Sequence, residues 1–276
     1  NQAGGYAYVN NAFSGNYDSD YNNLYTPGNS IAYVGGKCPD LAAFQDSTGQ
    51  DLNSLSVYPH YQAEEDLHTS APWLDEKATP LADITVDIDG NPRDASSPDI
   101  GADEFTPATG SKIPLSGNKT IGAGGDYTTL TEAIADLQLK GVSAPVVCNI
   151  FAGTYDEQIT TVSIPGASET NTITFQSNSG NPADVTIAYG STNQDSNYVW
   201  LLLGCDNITI RDLTLTALGA NYTTVLELWG RADNLKIMNN IFNGLFSSSA
   251  LARRTLIFAQ QSDYQSRLIQ GNTFNE

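Results

Sequence analysis

The sequence predicts a mainly β protein, its second half a right-handed parallel β-helix, and three observations carry that prediction. First, apolar–polar runs recur. Ile208-Thr-Ile210-Arg-Asp212-Leu-Thr-Leu215 lies over Leu235-Lys-Ile237-Met-Asn239-Asn-Ile-Phe242 at an offset of 27 residues, and Ile269 to Phe274 lies over Ile237 to Phe242 at 32. One strand–turn–strand unit per period of this size is the pattern of a stacked solenoid, and unequal offsets imply side loops of different length. Second, 24 Asn, 24 Gly and 14 Tyr against a single Met describe a turn-rich β chain. Third, the two-residue hairpin signals of a sandwich are scarce: only Asp89-Gly90 has strand-like flanks, and it lies in the other half.

Taken in order, residues 1–105 hold 17 acids and 3 bases, whereas residues 106–276 hold 14 acids and 9 bases. Between them, Thr106-Pro-Ala-Thr-Gly-Ser-Lys-Ile-Pro114 lacks periodicity, so a linker is expected over 106–118. Thr129-Leu-Thr-Glu132 is a capping box, and Leu130, Ala133, Ile134 and Leu137 follow helical spacing. A helix is therefore expected at about 129–140, stopped by Gly141 and covering the open edge of the first coil. Short β runs follow at 146–151, 172–176, 185–188, 199–203 and 208–215. The Asp or Asn at each turn tolerates left-handed backbone and can bond its counterpart in the next coil.

Composition narrows function. A net charge of −19 excludes a phosphate-backbone binder and disfavours an anionic membrane surface, so neither nucleic acid nor lipid is expected as a partner. No apolar run approaches the length of a membrane span. Cys38, Cys148 and Cys205 have no metal-binding spacing, and Cys148 and Cys205 read as buried fillers. No signal peptide opens the chain, and Asn272–Glu276 is still strand-like. The expectation is an internal piece of a longer chain whose targeting signals lie outside it.

Gly125-Asp126-Tyr127-Thr-Thr129-Leu130-Thr-Glu132-Ala133-Ile134, followed by Asn149-Ile150-Phe151-Ala-Gly153-Thr-Tyr155-Asp-Glu157, resembles the opening of pectin-methylesterase-like and pectate-lyase-like β-helices. This covers about a fifth of the chain. Asp20 to Tyr25, Asp87 to Asp94 and Pro98 to Phe105 resemble the last coil and closing segment of another such module. Together the blocks resemble tandem β-helices of large secreted surface proteins of the Bacteroidetes, exported by type IX secretion. The resemblance implies that 1–105 closes one module and 119–276 opens the next. It also implies a structural or adhesive module that contacts polysaccharide or cell-surface glycans, with secretion and outer-membrane attachment machinery engaged through other parts of the chain.

Methylesterases use two Asp, an Arg and Gln residues, but the family's Gln-Asp-Thr-Leu, Asp-Phe-Ile-Phe-Gly and Leu-Gly-Arg-Pro-Trp motifs are missing. Gln260-Gln-Ser-Asp263 is the nearest approach, and Glu157 is expected to serve the first coils. No catalytic, cofactor or metal residue is therefore expected. An enzyme with catalytic coils elsewhere, and a pure carbohydrate-binding domain, stay as alternatives.

Asp87, Asp89, Asn91 and Asp94 have the spacing of an oxygen-ligand loop, but Pro92 and Pro98 stand where an EF-hand needs Gly and Glu. The expectation is a turn-rich cap with Arg93 paired to Asp99 or Asp103, irregular calcium binding being the alternative. His60 and His68 have no third ligand nearby in sequence and are expected on the surface. Trp73, Trp200 and Trp229, with Tyr189, Tyr198 and Tyr222, are candidates for a sugar-stacking platform, although most aromatics in strands serve packing. Arg253-Arg254 is expected in a loop between coils.

Overall fold

The computed structural model describes residues 5–10, 17–245, 254–260 and 267–275, with the side chain of Gln260 left aside. The chain divides into two compact units, Asn1–Pro114 and Leu115–Glu276. In the first unit, β1 (Tyr8–Asn10), β2 (Ala32–Val34) and β3 (Lys37–Cys38) form a small sheet, α1 spans Leu41–Thr48, and β4 (Tyr61–Ala63) pairs antiparallel with β5 (Asp66–Thr69). The second unit is a parallel β-solenoid. It opens with β6 (Leu115–Ile121) and α2 (Leu130–Lys140), then winds through coils of three strands.

The first coil carries β7 (Val142–Ile150), β8 (Gly153–Asp156) and β9 (Ile159–Val162). The second carries β10 (Ile173–Ser177), β11 (Val185–Tyr189) and β12 (Trp200–Leu203). The third has β13 (Ile208–Arg211), β14 (Thr214–Ala217) and β15 (Leu226–Trp229). The fourth has β16 (Lys236–Met238), β17 (Ile241–Asn243) and β18 (Ile257–Gln260), and β19 (Leu268–Gln270) and β20 (Thr273–Asn275) begin a fifth. Each strand of a coil joins one of three sheets, and every pairing within those sheets is parallel.

The register reproduces the spacing read from the sequence: Ile210 lies beside Ile237 and Ile237 beside Ile269, offsets of 27 and 32. Alternation then sends one column inward from each sheet. Cys148, Phe175, Ile210 and Ile237 stack in the first sheet, Ile187, Leu215 and Phe242 in the second, and Ile159, Trp200 and Leu226 in the third. All are essentially inaccessible to solvent. Burying each large side chain is worth about 1.5–3 kcal/mol, which makes this continuous core the main source of stability.

The corner between the first two sheets repeats as well. Asp212, Asn239 and Gly271 are left-handed, with φ of 55°, 55° and 70°. This corner divides 208–215, read as one run, into β13 and β14. Just beyond it, the Asn240 side chain accepts from the Leu213 amide (3.0 Å) and donates to the Ile210 carbonyl (2.9 Å) and Asn272 Oδ1 (3.1 Å). Asn272 in turn donates to the Ile237 carbonyl (2.9 Å). The ladder satisfies corner amides and carbonyls that no strand can reach.

Helix α2 forms where its capping box predicts. The Thr129 hydroxyl accepts from the Glu132 amide, Glu132 returns the bond, and Gly141 ends the helix with φ 68°. Leu130, Ala133, Ile134 and Leu137 enter the solenoid core. Glu157 reaches back from the first coil to accept from the amides of Leu130 (3.1 Å) and Thr131 (2.8 Å) and from the Thr131 hydroxyl (2.6 Å). It anchors the helix N-terminus, where a carboxylate also favours the helix dipole.

Four elements differ from the sequence reading. Residues 115–118, expected within the linker, belong to β6, whose register slips at Leu115/Gly117 and so hides the alternation. Helix α1 was not expected; Asp40 caps its start and left-handed Gly49 its end, but only Phe44 of its residues is buried, so the apolar stripe is weak. Strands β8 and β9 are too short and polar to register as runs.

Replacing Asn240 with Ala strips partners from the buried Leu213 amide and Ile210 carbonyl. The variant is expected to lose about 2–4 kcal/mol, read as a lower urea midpoint with unchanged slope. Asn243→Ala, on the outer row, is expected to lose under about 1 kcal/mol.

Candidate functional site

The outward rows of the solenoid are where chemistry on this fold would sit, and their polar groups bond to one another. Gln176 donates to Asn149 Oδ1 across coils (2.9 Å), and Arg211 donates to Asp212 (2.7 Å). Two Asp and an Arg do meet, at the corner before the first sheet. Arg231 donates to Asp233 Oδ2 (2.7 Å) and lies 3.5 Å from Asp206, while Asp206 accepts from the Asp233 amide (2.7 Å). Asp206 and Asp233 are stacked equivalents 27 residues apart, so the Arg231 guanidinium neutralises a column of like charge.

The candidate aromatic platform does not assemble. Trp200 points inward, fully buried, donating to Thr161 Oγ1 (2.9 Å) and meeting Phe175 edge-on at 5.2 Å. Its register beside Ile159 and Leu226 decides this, since those positions face the core. Trp73 lies in the first unit. Trp229 is half-buried and donates to Glu227 (2.5 Å), Tyr189 packs against the core, and Tyr198 shares a bond with Thr160 (3.0 Å). Tyr222 lies between β14 and β15. Arg254 lies just before β18, while Arg253 and Gln261-Ser262-Asp263 fall outside the described residues. Cys38, Cys148 and Cys205 are buried free thiols; burial pushes Cys148 up to about 12 and Cys205 higher still.

The first unit has two small apolar clusters, one around Phe44 and one around Leu74 and Ile100, and organises its loops with carboxylates. Asp20 accepts from the Tyr21 and Asn53 amides, Asp87 from those of Asp89 and Asn91, and Asp94 from those of Ser96 and Ser97. Asp99, buried, accepts from Glu76 and Phe105. Asp87 and Asp94 are thus engaged in their own turns, and Asp87, Asp89, Asn91 and Asp94 do not converge as a calcium loop. Arg93 pairs with the Glu104 carboxylate (3.5 Å) rather than with Asp99 or Asp103, and donates to the Gly101 and Asp99 carbonyls. Lys112 pairs with Asp75 and Glu76. A cleft of about 720 Å³ borders this region, lined by Asn23, Tyr61, Leu74, Ile84, Arg93 and Pro98 among others.

One constellation was invisible to sequence spacing. The hairpin β4–β5 presents His68 to the Asp89-Gly90 turn. Its Nδ1 meets Asp66 Oδ1 at 2.5 Å and its Nε2 meets Asp89 Oδ2 at 2.9 Å. Asp89 and Asp66 together push the His68 imidazole up to about 9. Asp103 completes a group whose potential ligand atoms all lie within 4.8 Å of one another. His60 does not join it; its ring packs edge-on against Tyr58 at 4.7 Å. The partners of His68 sit 21 and 35 residues downstream, beyond any local motif.

No protein-family model and no curated protein sequence matches the chain. Among solved structures, the chain is similar to a pectin methylesterase from Aspergillus niger in penultimately deglycosylated form. The two share 17% identity and a TM-score of 0.37 over 63% of this chain and 58% of that one. The deglycosylated form of the same enzyme gives 16% and 0.36, over 58% and 57%. The chain therefore spans less than three fifths of the length of either. Among the described residues, no helix is long and apolar enough to cross a membrane.

Asp94 supplies a pH test. Bonds from the Ser96 hydroxyl and the Ser97 and Ser96 amides hold its carboxyl below the usual range. A depressed folded value contributes stability above the ordinary carboxylate pKa of about 3.9 and loses it as pH falls through the folded value. Asp94→Asn keeps an acceptor oxygen but cannot titrate, so the urea midpoint of the first unit's transition is expected to fall less between about pH 5 and pH 2.5 than in the unmodified chain.

Proposed function

We propose that the chain is a non-catalytic structural or adhesive module of a large secreted surface protein. In this reading the solenoid is a stiff section of stalk, the first unit closes a preceding module, and the outer face contacts polysaccharide. The observation that carries the reading is the use made of polar side chains. Arg211, Arg231, Asp206, Asp233, Gln176 and Asn149 are spent on coil-to-coil and corner bonds, and Glu157 on anchoring a helix. These are the residue types a polysaccharide-active solenoid would need free. For the first unit, support comes from parallel pairing of Tyr8 with Ala32 and of Asn23 with Leu55, as expected of short coils ending a stack.

The acidic surface suits a long chain that must stay soluble and unassociated. Export and attachment to the cell surface follow from the proposal. The competing reading is an esterase or lyase of the same fold. Incubating the chain with methylesterified and de-esterified pectin separates them: no methanol and no unsaturated product above a buffer blank is expected. Turnover that scales with protein concentration and is lost on Arg231→Gln would replace the structural reading with an enzymatic one.

A further inference from the structure

We propose that His68, Asp89 and Asp103 form a three-ligand site for a divalent cation of the zinc class, with Asp66 as positioning residue. Geometry and burial carry this jointly. His68 Nε2, Asp89 Oδ2 and an Asp103 carboxylate oxygen converge from three separate segments. A tetrahedral ion with bonds of about 2.0–2.2 Å needs ligand atoms roughly 3.4 Å apart; the 2.9 Å His68–Asp89 separation opens slightly, and Asp103, within 4.8 Å of both, needs only a small adjustment.

Asp103 supplies the independent observation. It is only 7% exposed, its single hydrogen bond is a long one from the Thr69 amide to Oδ2 (3.4 Å), and Oδ1 receives none. A carboxylate so placed is costly unless a cation meets it. Arg93 is not that cation, because it serves Glu104 and two carbonyls, and both ring nitrogens of His68 are taken by Asp66 and Asp89. Asp66 in turn accepts from Nδ1, which keeps the proton there and leaves Nε2, beside Asp89, as the nitrogen that gives up its proton when the ion binds. A carboxylate–histidine–metal arrangement has this form. A mixed nitrogen–oxygen set suits zinc better than calcium, which takes oxygen ligands. Side-chain exposures of 31% for His68 and 51% for Asp89 leave the fourth position to solvent. The bound ion would tie β5, the 87–91 turn and the 99–105 segment at one point in a unit with little apolar core.

The test uses the whole chain, stripped with chelator and titrated with Zn²⁺ alone by calorimetry, then with Co²⁺ for its visible spectrum. One equivalent binding at micromolar concentration or tighter, with the intense bands of tetrahedral Co²⁺, is expected. Asp89→Asn, at a half-exposed position, should abolish binding while the circular dichroism stays unchanged. Asp66→Asn should weaken it about 10–100-fold without abolishing it. Absence of Zn²⁺ binding at 100 µM, binding that survives Asp89→Asn, or Ca²⁺ bound in preference to Zn²⁺ would each overturn the assignment.

Discussion

The solenoid depends on a corner. In the third, fourth and fifth coils the chain turns between its first two sheets within two residues, and a left-handed residue makes that turn at Asp212, Asn239 and Gly271. Asp, Asn and Gly tolerate that conformation, whereas other side chains pay about 1–2 kcal/mol for it. The asparagine that follows, at 240 and 272, bonds the neighbouring coil and converts a local turn into a register lock. With the corner fixed, alternation decides the rest. Residues facing inward become Ile, Leu, Phe or Trp in columns, and those facing outward are left for polar ladders.

The two units solve the same problem with different materials. Leu115–Glu276 buries a continuous apolar column and caps it with α2, so its polar groups need only satisfy corners and ends. Asn1–Pro114 has two small clusters and holds its loops through carboxylates that accept from backbone amides. Charge on the acceptor strengthens such bonds relative to neutral ones. This accounts for much of the charge asymmetry along the chain. It also explains why the acidic segment 87–104 resembles a ligand loop: the same Asp spacing that could embrace calcium makes tight Asx turns.

Legibility in the sequence followed the range of the interaction. The capping box at Thr129, the 27- and 32-residue offsets and the core-facing alternation are local or strictly periodic, and the structure reproduces them. The sequence leaves the face taken by Trp200 open between packing and a sugar platform, because an aromatic in a strand carries no mark of which face it takes; the neighbours Ile159 and Leu226 decide that from other coils. Strand β6 was hidden by its register slip, and α1 by a stripe with one buried residue. The His68–Asp89–Asp103 grouping could not be read at all, since three turns of irregular chain bring it together.

The central claim is the in-register stacking of coils, and a pair of cysteines on adjacent strands tests it most directly. Thr209 and Lys236 face outward as register partners in β13 and β16, where neighbouring strands lie about 4.8 Å apart, within disulfide reach. The account predicts that Thr209→Cys with Lys236→Cys oxidises readily, the three buried native thiols taking no part. Thr209→Cys with Met238→Cys, two residues out of register and about 8 Å apart, should stay reduced. Cross-linking of the second pair in place of the first, or of neither, would contradict the stacking on which the fold and its proposed function rest.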